Sequence, residues 1–428
     1  MAKALIGPMA RRKLRMLRLA LLSSFLLTGA ARAAPVQPDL AGRLCHALAS
    51  AVDAAAPGAP RDAPVFVLSY HLGPQETQLP PWLATSAFVY DNAVAAIALV
   101  GCGDVARAKR IADALLIAMA RDRTFPDHRV RNAYRAGALG GATADPPGWW
   151  DPNGNHWAED AYQDGSATGN LAWAALALLN VEKASGDRRY GDGAQQLLSW
   201  IDAHAAVGLG PAGFTGGQSG FDGAQIAQTW KSTEHNLDVA AAAHWLVKRG
   251  NAPNVLEMQA KASQFVASRF LAGPGYFLIG TNPDGTDPPH DRYALDVQVW
   301  SVLAIPDAAD SYKRAVLFAF DHLRRPSGMT FAGLGEHAWT EGSAQTALAL
   351  QAIGEMDHAN ELLHDIANSI APDGFLYATS DGEVPTGLKV EAQNGADFFY
   401  FHRPHLGATA WGALAALGWN PFIGERVH

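Results

Sequence analysis

The sequence predicts an all-α fold, an (α/α)6 toroid in which six helical hairpins close into a ring. Three observations predict it: six apolar helical runs recur along the chain, charged amphipathic helices separate them, and long connections alternate with short ones. A helical unit repeated in this way is typical of a solenoid or a closed ring of helices. With 49% hydrophobic residues, the chain is able to bury the large core that such a ring needs.

Each apolar run opens with a small cluster of polar or aromatic residues. The six openings are Tyr90–Asn92, Thr168–Asn170, Thr233–Asn236, Leu295–Gln298, Trp339–Gly342 and His405–Gly407. They lead into runs such as AVAAIALV, LAWAALALL and ATAWGALAAL. A helix that is apolar nearly all round must be buried on all sides, so these six are predicted to form an inner ring.

The helices between the apolar runs carry charge on one face only. Examples are VARAKRIADALLIAMARD, RRYGDGAQQLLSWIDAHA and SYKRAVLFAFDHLRR. A helix with one polar face lies at a surface, so these are predicted to form the outer ring. Residues 38–56 have the same character and are expected to be the outer partner of the first inner helix.

The connections differ between the two ends of the predicted ring. Those that leave the inner helices are short. Those that enter them are long, rich in Gly, Pro, Trp and Tyr, and cover about residues 121–167, 203–231, 271–293, 324–338 and 371–404. Long connections in a compact domain usually serve a function. We therefore predict a functional face where the inner helices begin.

Residues 1–34 have the composition of a signal peptide. Basic residues precede a short apolar stretch, LALLSSFLLTGA, and Ala31-Arg32-Ala33 reads as a cleavage site. The apolar stretch is too short to be an integral membrane span. We expect residues 1–34 to be removed and residues 35–428 to form a single toroid domain in the periplasm or outside the cell.

The charge of the mature chain excludes some partners. Residues 1–34 hold seven basic and no acidic residues, so their removal takes the net charge from −8 to −15. A chain this acidic repels nucleic acid and other polyanions, which favours a neutral carbohydrate. Cys45 and Cys102 lie near the ends of neighbouring predicted helices and would be able to form a disulfide, two unpaired thiols being the alternative.

The predicted functional face collects carboxylates among aromatic rings, the usual lining of a carbohydrate cleft. Two carboxyls flanking a glycosidic bond donate a proton and activate water, and burial keeps one of them protonated. The catalytic candidates are Glu234, Glu341 and Asp91. The substrate-binding candidates are Tyr90, Trp149, Trp150, Trp157, Asp164, Trp230, His235, Asn236, Asp296, Trp339, Tyr400 and His405. No metal or cofactor motif stands out, so none is predicted.

Helix capping is the competing explanation for the acidic candidates, because Asp and Glu favour the first turn of any helix. It alone would account for Asp91, Asp164 and Asp296. Glu234 lies in a polar string, KSTEHN, at a position where burial is expected, and buried polar groups are costly unless they are paired or used. Glu341 stands between a tryptophan-threonine pair and a glycine that permits close approach.

The strings SAFVYDN, STEHN, WTEGSAQ and ATAW followed by NPF resemble those of the six-hairpin glycosidase superfamily. The resemblance covers nearly the whole mature chain and does not single out one family. It implies an (α/α)6 toroid with a substrate cleft over the N-terminal ends of the inner helices. It also implies hydrolysis of a polysaccharide or oligosaccharide, usually with inversion.

Two alternatives remain at this point. A polysaccharide lyase on a similar toroid would use Tyr90 or His235 as base, with Asn236 or Arg292 neutralising a uronate carboxyl. A non-catalytic glycan-binding protein of envelope polysaccharide export would bind the sugar without forming a product.

Overall fold

The computed structural model describes residues 36–250, 253–390 and 396–427. The predicted signal peptide, residues 1–34, lies outside the described residues, so its cleavage stays a prediction. The helices of the described part are α1 Pro38–Ala54, α2 Val89–Gly101, α3 Val105–Arg121, α4 Ala161–Asp164, α5 Thr168–Ser185, α6 Arg188–Ala205, α7 Thr233–Arg249, α8 Pro253–Arg269, α9 Leu295–Ala304, α10 Lys313–Leu323, α11 Thr340–Ile353, α12 Met356–Ala367 and α13 Leu406–Leu417, with a 3-10 turn at Asp310–Tyr312.

The predicted toroid is confirmed. Helices α2, α5, α7, α9, α11 and α13 pack each against the next, and α13 packs against α2, so the inner ring closes. The inner and outer helices differ in how many of their residues are buried. All of α13 is buried, whereas α12 buries only the stripe formed by Ala359, Leu362, Leu363 and Ile366. That stripe has the spacing of one helix face.

The pairing of α1 differs from the expectation. It packs mainly against α13, the last inner helix, and only at its edge against α2, the first. The other outer helices pack chiefly against the inner helix that precedes them in the chain. Since α13 has no helix after it, the place beside it is left for α1. The predicted disulfide is present: Cys45 of α1 is bonded to Cys102 at the end of α2, with Cα atoms 5.8 Å apart.

The long connections contain short antiparallel strands, which the sequence did not predict. Their pairs are Val65–Phe66 with Gly137–Ala138, Ser86–Phe88 with Ala133–Arg135, Trp149–Asp151 with His156–Ala158, Ser166–Ala167 with Gly217–Ser219 and then Ile226–Gln228, Lys231–Ser232 with Gly280–Thr281, Phe270–Leu271 with Tyr276–Phe277, Arg324–Arg325 with Gly328–Met329, Leu376–Tyr377 with Pro404–His405, Val384–Val390 with Ala396–Tyr400, and Trp419–Asn420 with Glu425–Arg426. Several join the residues before an inner helix to another connection, which fixes the helix starts relative to one another.

The segment that follows α13 lies at the end of the ring opposite the long connections. The Asn180 side chain donates to the carbonyl of Pro421, and the Asn420 side chain donates to the carbonyl of Leu303. Phe422 enters the ring and packs against Trp173 and Trp300, with ring centroids 5.0 and 5.5 Å away. None of the described helices is both long enough and apolar enough to cross a membrane.

Candidate active site

The inner helices present equivalent positions to the centre of the ring. Their second residues are Tyr90, Gly169, Glu234, Asp296, Glu341 and Gly407, and their sixth residues are Val94, Trp173, Asp238, Trp300, Gln345 and Trp411. Residues four apart lie on one face of a helix, so the sixth residues form a layer directly beneath the second residues. The second-residue layer lies at the end where the long connections gather.

The fourth residues of five inner helices have a different task. Each hydrogen-bonds to the backbone of a preceding connection; they are Asn92, Asn236, Gln298, Ser343 and Thr409. Asn236 accepts from the Phe214 amide at 2.8 Å and donates to the Phe214 carbonyl at 3.0 Å. The structure therefore places Asn236, a predicted substrate-binding residue, among anchors that hold the connections.

Glu341 is buried and has two side-chain donors. The Tyr90 hydroxyl donates to Glu341 Oε1 at 2.6 Å, and the Gln345 amide donates to the same oxygen at 3.1 Å. The Trp411 indole donates to the Tyr90 oxygen at 2.8 Å and so orients that hydroxyl. Burial raises the pKa of Glu341 to about 7, against the opposing effects of the nearby His405 and of the Tyr90 hydrogen bond.

Asp91 and His405 lie beside Glu341. His405 Nε2 is 3.2 Å from Asp91 Oδ2, and His405 Nδ1 is 3.8 Å from Glu341 Oε2. The Ala408 amide donates to Nδ1, which makes His405 the N-cap of α13 and leaves the proton of the neutral ring on Nε2, facing Asp91. Burial lowers the pKa of His405, but the charges of Asp91 and Glu341 outweigh it and raise the pKa on balance.

Gly407 makes this close approach possible. A Cβ atom at this position would lie 2.7 Å from Asp91 Oδ1 and 3.0 Å from Glu341 Oε2. Contacts that short would push the two carboxyls apart or displace α13. Gly407 therefore allows the carboxyls of Asp91 on α2 and Glu341 on α11 to lie close together.

Glu234 stands in a different environment on α7. Its side chain is partly exposed, and no side chain of the described residues donates a hydrogen bond to it. Burial raises its pKa well above the ordinary value, and the charges of Asp296 and Glu341 raise it further. These influences indicate that Glu234, Asp296 and Glu341 face one another at the centre of the second-residue layer, and the side chains grouped around them are called the pocket below. His235 follows it, with its ring centroid 5.5 Å from that of Trp230, and burial lowers the His235 pKa to about 4.

Asp238 and Asp296 complete the α7–α9 side of the pocket. Asp238, one helical turn below Glu234, is fully buried, and neither of its oxygens has a hydrogen-bond partner among the described residues. Burial, Glu234 and Asp296 raise its pKa. Asp296 accepts from the Val297 amide at 2.6 Å, yet burial raises its pKa to about 6.

Aromatic side chains surround the carboxyls. Tyr400 stacks on Trp339 at 4.9 Å, and Tyr70 stacks on His405 at 4.3 Å. Tyr162, on α4, has its pKa raised to about 12 by burial, with smaller contributions from Glu234 and Asp91, so it faces the carboxyls of α7 and α2. Their rings and hydroxyls give the pocket the mixed lining that a sugar needs.

Three predicted tryptophans lie on a hairpin at the rim. Trp149 and Trp150 pair with Ala158 and Trp157 across its two strands. Trp150 and Trp157 are 55% and 48% exposed, and Trp157 donates to Glu159 at 3.2 Å. Tyr162 follows Trp157 by five positions in the chain, so the hairpin lies within about 17 Å of Tyr162.

Asp164 lies apart from the central carboxyls. Its neighbours are Arg131, 3.9 Å away, and two acidic residues, Glu159 and Asp222. Arg131 directs its guanidinium at Asp122 and Asp222, with bonds of 2.6 Å. Both Asp164 oxygens are therefore buried with no hydrogen-bond partner in the described part of the chain. Burial raises the pKa of Asp164 to about 7.

The structure thus gathers most of the predicted residues and adds others. Glu234, Glu341, Asp91, Tyr90, His235, Asp296, Trp339, Tyr400, His405 and Trp230 surround the pocket or its edge. The additional residues are Tyr70, Tyr162, Asp238, Gln345, Trp173 and Trp411. Spacing would have found four of them, since Asp238, Gln345, Trp173 and Trp411 each lie four residues after the second residue of an inner helix. No group of three or more His, Cys, Asp or Glu side chains in the described residues is arranged to hold a metal ion.

Comparison with family models and with curated proteins gives no match. Solved structures do match. A glycosidase aligns with a TM-score of 0.56 at 14% identity, over 88% of this chain and 98% of its own. A GH76 α-mannanase from Bacteroides thetaiotaomicron gives 0.54 at 12%, over 88% and 95%. A D-mannose isomerase gives 0.58 at 10%, over 89% and 98%.

The chain shares their fold. At these identities the likeness establishes the six-hairpin toroid and not the reaction, so the predicted resemblance is confirmed at the level of architecture. In this chain, the polar side chains of the second-residue layer make one end of the ring different from the apolar rest of the inner helices.

Proposed function

We propose that the protein is an exported glycoside hydrolase, acting in the periplasm or outside the cell, that cleaves a neutral polysaccharide or oligosaccharide with inversion. One observation supports this most strongly. Glu234 and Glu341 occupy the same position on two inner helices, Glu341 raises the pKa of Glu234, and the two differ in their donors. Inverting hydrolysis requires such an unequal pair, one carboxyl protonated and the other ionised.

Glu234 is assigned as the general acid. Its partial burial, with no donor among the described side chains, favours the neutral carboxyl, and the neighbouring Asp296 and Glu341 oppose its ionisation. Its proton passes to the glycosidic oxygen as the bond to the anomeric carbon breaks. The leaving sugar departs with that proton, and Glu234 becomes a carboxylate.

Glu341 is assigned as the general base. The Tyr90 and Gln345 donors stabilise its carboxylate. It accepts one proton from a water molecule whose oxygen forms the new bond to the anomeric carbon on the opposite face. Asp91 and His405 position the water and the Glu341 carboxylate rather than exchange protons with the sugar.

The experiment is a panel of neutral polysaccharides, beginning with α-mannan because an α-mannanase and a mannose isomerase share the fold. New reducing ends and the anomeric configuration of the first product are followed by NMR. We expect hydrolysis with inversion, lost in both Glu234→Gln and Glu341→Gln. Near-full activity in both folded variants would overturn the assignment. Binding without any product would favour the glycan-binding alternative, and an unsaturated product would favour the lyase.

A sugar isomerase is the second candidate, favoured by His235. Its pKa of about 4 keeps the imidazole neutral near pH 7, and its buried Nδ1 has no hydrogen-bond partner among the described residues. A neutral imidazole is able to move a proton between C2 and C1 of an open-chain sugar. Incubation with free mannose and glucose in deuterated water would decide: a new ketose that carries deuterium at C1 supports the isomerase, and the absence of any ketose rejects it.

A further inference from the structure

Each of the two proposed catalytic carboxyls has a polar side chain directly beneath it. Gln345 lies one turn below Glu341 and Asp238 one turn below Glu234, and the four other sixth-layer residues are Val94, Trp173, Trp300 and Trp411. The Gln345 amide is a permanent donor, and it bonds to Glu341 at 3.1 Å. A carboxyl in the same position is a donor only while it carries a proton.

The surroundings of Asp238 offer no positive charge. It faces Glu234 on its own helix, Asp296 on α9 and the Trp173 indole on α5, and no Lys or Arg contributes to its pKa. His235, on the side of Gly169, is held neutral by burial. A Cβ on Gly169 would lie 3.3 Å from Asp238 Oδ2, so the carboxyl reaches up toward the second-residue layer. An isolated ionised carboxylate buried in this way is very costly, which favours the protonated form.

We propose that Asp238 is a positioning residue that returns Glu234 to its protonated form after each turnover. This role rests on the proposed function. Once Glu234 has given its proton to the leaving group, its carboxylate accepts the Asp238 O–H, and the pair holds one proton between two carboxyls. The missing proton then comes from solvent. The Gln345 amide has no acidic proton, so it cannot return a proton to Glu341. Glu341 does not need one, because a general base must be ionised.

Two reciprocal variants test the role. Asp238→Asn leaves Glu234 without a second carboxyl to share its proton. The last proton is then no longer held by repulsion between two carboxylates, so the basic limb of the kcat/KM profile moves lower by about one pH unit. Gln345→Glu puts a carboxyl below Glu341 and moves the acid limb higher by a similar amount. A merely structural role would lower the amplitude of the profile and leave both limbs in place. An unmoved basic limb in folded Asp238→Asn would overturn the proposal.

A second measurement needs no substrate and does not depend on the variant's activity. Infrared difference spectra of the protein, titrated from acid to alkaline pH, follow the carbonyl band of protonated carboxyls. Glu234, and in part Asp164 and Glu341, absorb in this region in both proteins at neutral pH. We therefore expect the band to lose the intensity of one carboxyl at neutral pH in Asp238→Asn relative to the wild type. No Asp238-dependent band would refute the shared proton. A clear band in a protein that hydrolyses nothing would refute only the proposed function.

Discussion

Two sides of one pocket are built on the same plan and differ in their chemistry. On the α11 side, Glu341 has a tyrosine and an amide as donors and a histidine nearby. On the α7 side, no described side chain donates to Glu234, and the charges that raise its pKa are those of the carboxyls of Asp296 and Glu341. Helix position places the carboxyls, and their neighbours determine protonation. In the proposed mechanism, a ring of equivalent helices therefore supplies an acid and a base from the same helix position.

The largest expected effect is the loss of turnover on either side. Glu234→Gln and Glu341→Gln each remove a group that takes part in the transition state, so kcat falls by about a thousandfold or more. Glu336→Gln is the control, because Glu336 is exposed on the connection that leads into α11. Steady-state kinetics with circular dichroism would measure this. Equal losses in all three variants would indicate damage to the fold instead.

Removal of the Tyr90 hydroxyl should make Glu341 a less effective base without abolishing turnover. A hydrogen bond to a charged group contributes about 1.5–3 kcal/mol, so Tyr90→Phe lowers kcat/KM by roughly 10- to 100-fold. It also raises the Glu341 pKa above 7 and moves the acid limb to higher pH. Tyr190→Phe removes a similar tyrosine–carboxyl bond, 2.9 Å long, from an outer helix and should leave the profile unchanged. An acid limb that stays in place in Tyr90→Phe would contradict the assignment of the base.

Asp164 tests whether an unpartnered carboxyl outside the pocket affects stability alone. Below the pKa of an unfolded aspartate, about 3.9, both states are protonated. Above it the unfolded state ionises first, so stability falls until the pH passes about 7, the pKa in the folded protein. Asp164→Asn should therefore raise the free energy of unfolding by about 4 kcal/mol near pH 8 and change it little near pH 4. Denaturant unfolding at both pH values measures this, and loss of activity would place Asp164 in the site.

The smallest expected effect concerns the tryptophan hairpin at the rim. Trp157→Ala should raise KM for a polysaccharide by roughly three- to tenfold, from the loss of about 1 kcal/mol of stacking, and leave a short oligosaccharide unaffected. Leu256→Ala, which alters an exposed side chain on outer helix α8, is the control. Equal effects on long and short substrates would show that the hairpin belongs to the central pocket.

The ring was predictable because helices with no polar face must be buried on all sides, and few folds bury six such helices. The short strands were not, since ladders of two residues carry no periodicity, and the packing of α1 on α13 depends on ring closure. In the site, the acidic second residues were recognisable at the openings. In the sequence, Asn236 and Glu234 are both polar residues at the opening of an apolar run. Only the exact first residue of α7 shows that Asn236 bonds to the backbone of Phe214 while Glu234 faces the centre of the ring. Asp238 was missed because a single Asp inside an apolar run gave no signal until the layers were known.

The most direct test of the acid–base assignment uses a substrate whose leaving group needs no proton. It is the dinitrophenyl glycoside of whichever sugar the panel identifies, offered to the wild type, Glu234→Gln and Glu341→Gln. Because only the acid becomes dispensable, Glu234→Gln should recover turnover to within about tenfold of the wild type, and Glu341→Gln should remain inactive. Recovery in Glu341→Gln alone would reverse the two roles and contradict the account of how their neighbours set protonation.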